Sequence, residues 1–190
     1  MEANTPVKML RSNLDKLPDF PLPPGFSFRW FRAGDEPEWV RIQTLSDQLN
    51  AISLKLFHSE LSVSDLLPTT QFYLLAPNTA PIGTATAWFK ELDGKRIGRV
   101  HWVAVVPEFQ GRGLGKAVLS FCCRRLRELG YDQAFLSTSS ARIPAINLYL
   151  NFGFEPLIAT YEERLVWNDV LARASWGAPS SRRSSEPSRT

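Results

Sequence analysis

Between Val103 and Lys116 the chain reads Val-Ala-Val-Val-Pro-Glu-Phe-Gln-Gly-Arg-Gly-Leu-Gly-Lys. An apolar, β-branched run is stopped by Pro107, a turn follows, and Gly111, Gly113 and Gly115 fall at alternate positions. Such a run favours an extended strand, and glycines let the backbone turn tightly and approach a ligand closely. Downstream, Leu114, Ala117, Val118, Phe121, Cys122, Leu126 and Leu129 keep helical spacing, and Gly130 supplies a C-terminal cap. The first amides of that helix have no partners within it, and its dipole favours negative charge there. Strand end, glycine turn and helix start together form a seat for an anion such as a pyrophosphate, with Arg112 and Lys116 adding charge at the rim. A plain strand-to-helix connection is the other reading of the glycines alone. Two phosphate loops do not fit: Gly115-Lys116 is followed by Ala117 rather than Ser or Thr, and the alternating glycines do not make G-x-G-x-x-G.

Around this unit the pattern predicts strand, helices, several strands, helix, strand, helix, strand. Residues 1–25, with Pro6, Pro18, Pro21, Pro23 and Pro24, read as a loosely ordered arm. A strand is expected at Phe26–Trp30, a helix after Gly34-Asp35, and a less regular helical region over Ser53–Leu67 stopped by Pro68. Strands follow at Gln71–Leu75, Ile82–Phe89 and Arg99–Val106, then a helix over Gly113–Leu129. Gln133–Ser137 reads as a strand, Pro144–Asn151 as a short helix and Tyr161–Trp167 as a last strand. Residues 171–190, rich in Ser, Arg and Pro, read as a flexible tail. The fold class is mixed α/β (α+β-like), one sheet with helices packed on it.

With 190 residues, 44% of them hydrophobic, the chain can bury one proper core. Its formal charge is +3 and part of that excess sits in the tail, so composition argues against nucleic acid as a partner. Cys122 and Cys123 are adjacent and form no disulfide framework, and no ligand cluster for a metal stands near them. No segment has the length and apolarity of a membrane span, which fits a cytoplasmic protein.

Gln110-Gly111-Arg112-Gly113-Leu114-Gly115 resembles the Q/R-x-x-G-x-G/A motif of the GNAT acetyltransferases. Val105-Val106-Pro107-Glu108-Phe109 resembles the strand end and turn that precede it, and Ala145–Phe154 resembles the family's A-I-x-L-Y-x-x-x-G-F helix and turn. The resemblance covers Phe26 to about Trp167 and implies a single GNAT-type domain over residues 26–170. Its central, mostly antiparallel sheet is splayed at the acetyl-CoA strand and flanked by about four helices. It implies acetyl-CoA as cosubstrate, no metal, and an N-acetyltransferase that moves acetyl to a primary amine by direct attack in a ternary complex. The loop from Gln110 through Gly111, Arg112, Gly113, Leu114 and Gly115 to Lys116 is then the pyrophosphate site, and Val103 and Val105 lie beside the pantetheine arm. The acceptor is a small-molecule or protein amine, and a homodimer is one expected state because family members often dimerise. One departure stands out: the Asn common three residues before Ala-Ile is Arg142 here. A non-catalytic acyl-CoA sensor is the alternative function.

Amine acetylation needs a proton acceptor for the nitrogen and benefits from a donor for the leaving thiolate. The family motif places Tyr149 as the acid, although its apolar neighbours suit a core tyrosine equally well. His101, on the glycine-loop strand and expected to share a face with Val103 and Val105, is the candidate base; a lone strand histidine is otherwise structural. Glu91, Glu108 and His58 are weaker candidates, His58 for the acceptor pocket. Cys122, Trp39, Trp88 and Trp102 read as core or near-core.

Overall fold

The computed structural model describes residues 4–61, 64–92 and 94–174. Seven strands form one sheet in the order β2-β3-β4-β5-β6-β1-β7. The strands are β1 (Pro6–Arg11), β2 (Ser27–Trp30), β3 (Gln71–Leu75), β4 (Pro81–Leu92), β5 (Lys95–Val105), β6 (Ala134–Ser139) and β7 (Glu155–Pro156). All neighbours run antiparallel except β5 and β6, which are parallel. The helices among the described residues are α1 (Glu36–Ser46), α2 (Leu54–Glu60), α3 (Leu67–Thr70), α4 (Leu114–Glu128), α5 (Ile143–Asn151) and α6 (Tyr161–Arg173), six rather than about four. None is long and apolar enough to cross a membrane.

Alternation along β3 assigns the helices to faces. Phe72 packs on Phe121 of α4 with ring centres 4.6 Å apart, while the next residue, Tyr73, donates its hydroxyl to the Asp35 carbonyl at the start of α1. Helices α1 and α4 therefore cover opposite faces. The α4 stripe closes its face with Leu114, Val118, Cys122 and Leu126 fully buried. On the other face, Trp39 of α1 and Phe57 of α2 meet edge to face at 5.2 Å.

Three expectations fail. Residues 1–25 are not throughout a loose arm: Pro6–Arg11 pair residue by residue with β6, from Pro6↔Ser139 to Arg11↔Ala134. Val7 and Met9 alternate inward and are buried, so a short strand is hidden ahead of the proline-rich stretch that begins at Pro18. Tyr161–Trp167 is helix rather than strand. Thr160 accepts from the Glu163 amide while the Glu163 side chain accepts from the Thr160 amide, a capping box that starts α6. Trp167 and Val170, one helical turn apart, then supply the buried face. Pro68 does not stop a helix but sits in the first turn of α3, where its missing N–H costs nothing. The expected tail falls largely on residues 175–190, outside the described residues.

Candidate active site

Strands β5 and β6 pair only at Gly98↔Ala134 and Arg99↔Phe135. At that seam the Gly98 amide donates to the Gln133 carbonyl at 3.1 Å, and a Cβ on Gly98 would lie 2.8 Å from the same oxygen. Only glycine lets the strands meet there. Beyond the seam they diverge around a cleft of about 280 Å³, lined by β5 from Arg99 to Val103, by β6 from Leu136 to Ser139, and by Gln43, Glu60, Arg142 and Tyr149.

Strand β5 carries a bulge in this region. His101 faces Thr86 and Ala104 faces Thr84, so Trp102 and Val103 together oppose one residue of β4. Trp102 takes a positive φ of 49°, which a side chain rarely adopts. Its carbonyl accepts from Gln43 Nε2 at 2.8 Å and its ring packs edge to face on Trp39 at 5.1 Å. The bulge breaks the alternation, so His101 shares a face with Ala104 and not with Val103 and Val105 as expected. That face is the one bearing α1 and α2.

There His101, 5% exposed, places Nε2 3.2 Å from Oε2 of Glu60, close but without the alignment of a full hydrogen bond. The same carboxylate oxygen accepts from Trp102 Nε1 at 3.3 Å. Burial holds the imidazole below its ordinary value, opposed by the Glu60 carboxylate. Contact with His101 holds Glu60 well below the usual carboxylate range against the effect of burial, aided by the Trp102 indole and Arg99. Glu60 is thus a carboxylate beside a buried, neutral imidazole.

Tyr149 enters the cleft from α5, buried against Phe154 with ring centres 6.0 Å apart. Burial pushes its hydroxyl up to about 12, so it remains a proton donor at neutral pH. Arg142, at the start of α5, bonds Asp47 at 2.6 Å at the end of α1. Burial would push the Asp47 carboxyl up; the Asn50 side chain, the Leu49 amide and Arg142 together bring it below its ordinary value. The departure at position 142 is therefore a tie across the open side of the sheet.

The glycine loop lies at the head of α4. Gly111 and Gly113 adopt positive φ of 75° and 78°, and a Cβ at either would meet nothing within 4 Å. From Gly111 onward, Lys116 is the first residue among those described whose amide donates to a backbone carbonyl, that of Gly113, at 3.0 Å. The amides of residues 111–115 thus donate to no backbone carbonyl among the described residues, and Gly111, Arg112 and Gly113 are exposed. Gln110, itself exposed, donates its side-chain amide to the Val105 carbonyl at 2.8 Å, pinning the loop to the strand end. Arg112 lies over the Phe109 ring and bonds the Glu108 carbonyl, and the Lys116 ammonium lies over Phe20. Gly115 brings the loop to α5: its added Cβ would stand 3.6 Å from Leu148, the neighbour of Tyr149.

The structure therefore brings His101, Val103 and Tyr149 to one cleft and sets Gln110–Lys116 beside its α5 wall. Val105 does not line the cleft. Because the Val106 amide donates to Ile82 of β4, the Val105 backbone groups point toward the opened edge. His58 is exposed and outside the cleft, Glu91 pairs with Arg96, and Glu108 is exposed in the turn. Cys122 is core, its thiol pushed up by burial. Sequence reasoning missed Glu60 and Arg99. Glu60 lies two residues beyond His58 in the irregular region expected near the acceptor, and Arg99 follows Lys95 and Arg96 in the opening half of β5, ahead of its apolar run.

The profile of the Acetyltransferase (GNAT) family matches residues 30–154. A mycothiol acetyltransferase of Pseudarthrobacter chlorophenolicus is 32% identical over 156 residues, covering 78% of this chain and 48% of that protein. One of Saccharomonospora viridis is 42% identical over 143 residues, covering 63% and 47%. The chain spans about half the length of these curated relatives. Among solved structures, a GCN5-related N-acetyltransferase from Sphaerobacter thermophilus superposes with a TM-score of 0.64 at 21% identity, covering 80% of this chain and 48% of that one. The ribosomal-protein-S18-alanine N-acetyltransferase from Escherichia coli does so at 0.57 and 21%, covering 70% and 79%. These likenesses, at low identity, concern the fold.

The Arg142 tie has a measurable consequence. Arg142→Ala leaves the Asp47 carboxylate with fewer donors and is expected to cost about 1–3 kcal/mol in urea unfolding. Acetyl-CoA affinity measured by calorimetry should stay within about twofold of wild type; a larger loss would place Arg142 on the coenzyme.

Proposed function

The chain belongs to the GNAT acetyltransferase family, and we propose that it is an acetyl-CoA-dependent N-acetyltransferase acting on a primary amine by direct attack in a ternary complex. The observation that carries this reading is one opening in the sheet that joins a proton donor, Tyr149, to a neutral imidazole, His101. The glycine loop, with its free amides, lies next to that opening. The loop fits a diphosphate: open space over Gly111 and Gly113, unused amides at a helix N-terminus, and Arg112 and Lys116 at the rim. The opened edge of β5 at Val103, together with the Val105 amide beside the carbonyl that Gln110 holds, is suited to backbone pairing with an extended amide-bearing arm. The relatives named mycothiol acetyltransferases support acetyl transfer as the reaction class.

When bound, acetyl-CoA supplies the acetyl carbonyl: the acceptor nitrogen bonds to it, the C–S bond breaks and the thiol departs. The chain's own residues handle protons and position. The proton that the amine must lose passes to His101, neutral because it is buried, by way of the Glu60 carboxylate, which is partly open to the cleft, stands 3.2 Å from the enclosed Nε2 and stabilises the imidazolium that results. Tyr149 keeps its proton at neutral pH and gives it to the departing sulfur. The Gln43 and Trp39 contacts to Trp102 keep the bulge, and with it His101, in place.

Three measurements test the reading. Gly113→Glu puts bulk and negative charge into the anion seat and is expected to abolish acetyl-CoA binding in calorimetry; unchanged affinity would remove the loop assignment. Tyr149→Phe is expected to lower kcat by about 10²-fold while leaving coenzyme affinity nearly intact. Wild-type turnover in that variant would return the tyrosine to the core, and coenzyme binding with no turnover on any amine would favour the sensor.

The third is the pH profile of kcat/KM. A histidine base must be deprotonated, and its ordinary value is ~6.5. Burial lowers it, so activity should rise with pH along a limb centred below ~6.5. Glu60→Gln removes the charge that favours imidazolium, so the limb moves lower still while the plateau falls. A limb that does not respond to Glu60→Gln would exclude His101 as the base.

A further inference from the structure

Arg99 stands at the last β5–β6 pair, where the cleft begins. It and His101 are two residues apart ahead of the bulge, so their side chains share the face toward Glu60. Two charges of opposite sign therefore line one wall, yet they are not joined. Glu60 is engaged by Trp102 Nε1 and His101, and acts on Arg99 only at a distance. The Arg99 Nε is fully enclosed and has no hydrogen-bond partner among the described residues, and the guanidinium makes no ion pair there. Arg142, the other cleft arginine, is by contrast satisfied by Asp47.

A half-buried cation with no counter-charge in contact is costly, and a folded chain keeps one where a ligand supplies the missing partner. We propose that Arg99 is an anion anchor for the acceptor. The amine acetylated here carries a carboxylate or phosphate that docks on the Arg99 fork while its nitrogen faces Glu60 and His101. The planar guanidinium matches either group through paired hydrogen bonds. Two residues of strand separate the anchor from the base by about 6–7 Å, the span of a small molecule such as an amino acid or an amino-sugar phosphate. This deepens the transferase reading and rests on it for the identity of the ligand as acceptor.

The test uses products, whose binding needs no turnover. N-acetyl amino acids are compared with their carboxamides, and N-acetylglucosamine 6-phosphate with N-acetylglucosamine, by calorimetry on the full chain saturated with CoA. In at least one of the two sets the anionic member should bind roughly tenfold or more tighter than its neutral counterpart. The set that responds identifies carboxylate or phosphate as the docked group. Arg99→Gln should erase that preference, and Arg99→Lys should restore part of it. Equal binding of charged and neutral members to wild type, or a preference that survives Arg99→Gln, would overturn the anchor. A chain that acetylates neutral and anionic amines alike loses the anchor and keeps the transferase reading. One that discriminates anions but never turns over loses the transferase and keeps the anchor. If Arg99 serves only to hold Glu60 ionised, its removal shifts the pH profile and leaves anion preference unchanged, which also counts against the proposal.

Discussion

A parallel seam two residues long holds the sheet together and at the same time forces it open. The strand β5 is committed on its other edge to β4, and β6 to β1, so each already has an antiparallel partner. They meet only where Gly98 lets the Gln133 carbonyl come close to its Cα. Any side chain at position 98 would push apart the one place where contact is made. Past the seam the strands follow their own partners and β6 no longer pairs with the backbone edge of β5, where Gln110 caps the Val105 carbonyl and the uncapped groups are costly inside a protein unless something binds there. The amino-terminal strand β1 is therefore part of the site's architecture, because without it β6 would lose its antiparallel partner.

The bulge is the second constraint. It inserts one residue between His101 and Ala104 and moves the rest of β5 by one step relative to the face bearing Glu60. A tryptophan at positive φ is an awkward residue for this duty, and three contacts hold it: Gln43 on its carbonyl, Trp39 on its ring, Glu60 on its indole N–H. The same three contacts join α1 and α2 to the strand, so the residue that distorts β5 also positions the helices that form the cleft's far wall.

Local pattern carried much of this in the sequence, and distance in sequence hid the rest. The glycine run, the α4 stripe and the Ala145–Phe154 segment each lie within a few consecutive residues, and each element formed where its spacing predicts. Strand β1 escaped notice because six residues with two inward side chains carry little periodicity, and prolines follow soon after. The segment at Tyr161 reads as a strand from Tyr161, Val166 and Trp167, but the Thr160-x-x-Glu163 spacing is itself the sequence signature of a capping box and starts a helix there instead. The face of His101 was misjudged because a bulge leaves no trace in alternation along a single strand. Glu60, 41 positions before His101 in the chain, meets it only through packing of α2 on the sheet.

The cleft holds charges of two kinds, and their surroundings separate structure from chemistry. Asp47 is almost fully buried yet receives bonds from Leu49, Asn50 and Arg142, a closed network that joins α1 to α5 and asks nothing of a ligand. His101 and Glu60 are placed as a base and its stabiliser would be, the first neutral and enclosed, the second ionised and partly open to solvent. Arg99 belongs to neither arrangement. Folding alone would favour an apolar residue at the mouth of the seam or a carboxylate in contact with the guanidinium, and Glu60 acts on it only at a distance. The strain of an unpaired cation is tolerable where an incoming anion relieves it, and the same ligand would then be held with its nitrogen toward the imidazole. Selectivity of this kind costs stability in the empty protein and returns it on binding, so the residue least explained by the fold is the one that speaks most directly about the acceptor.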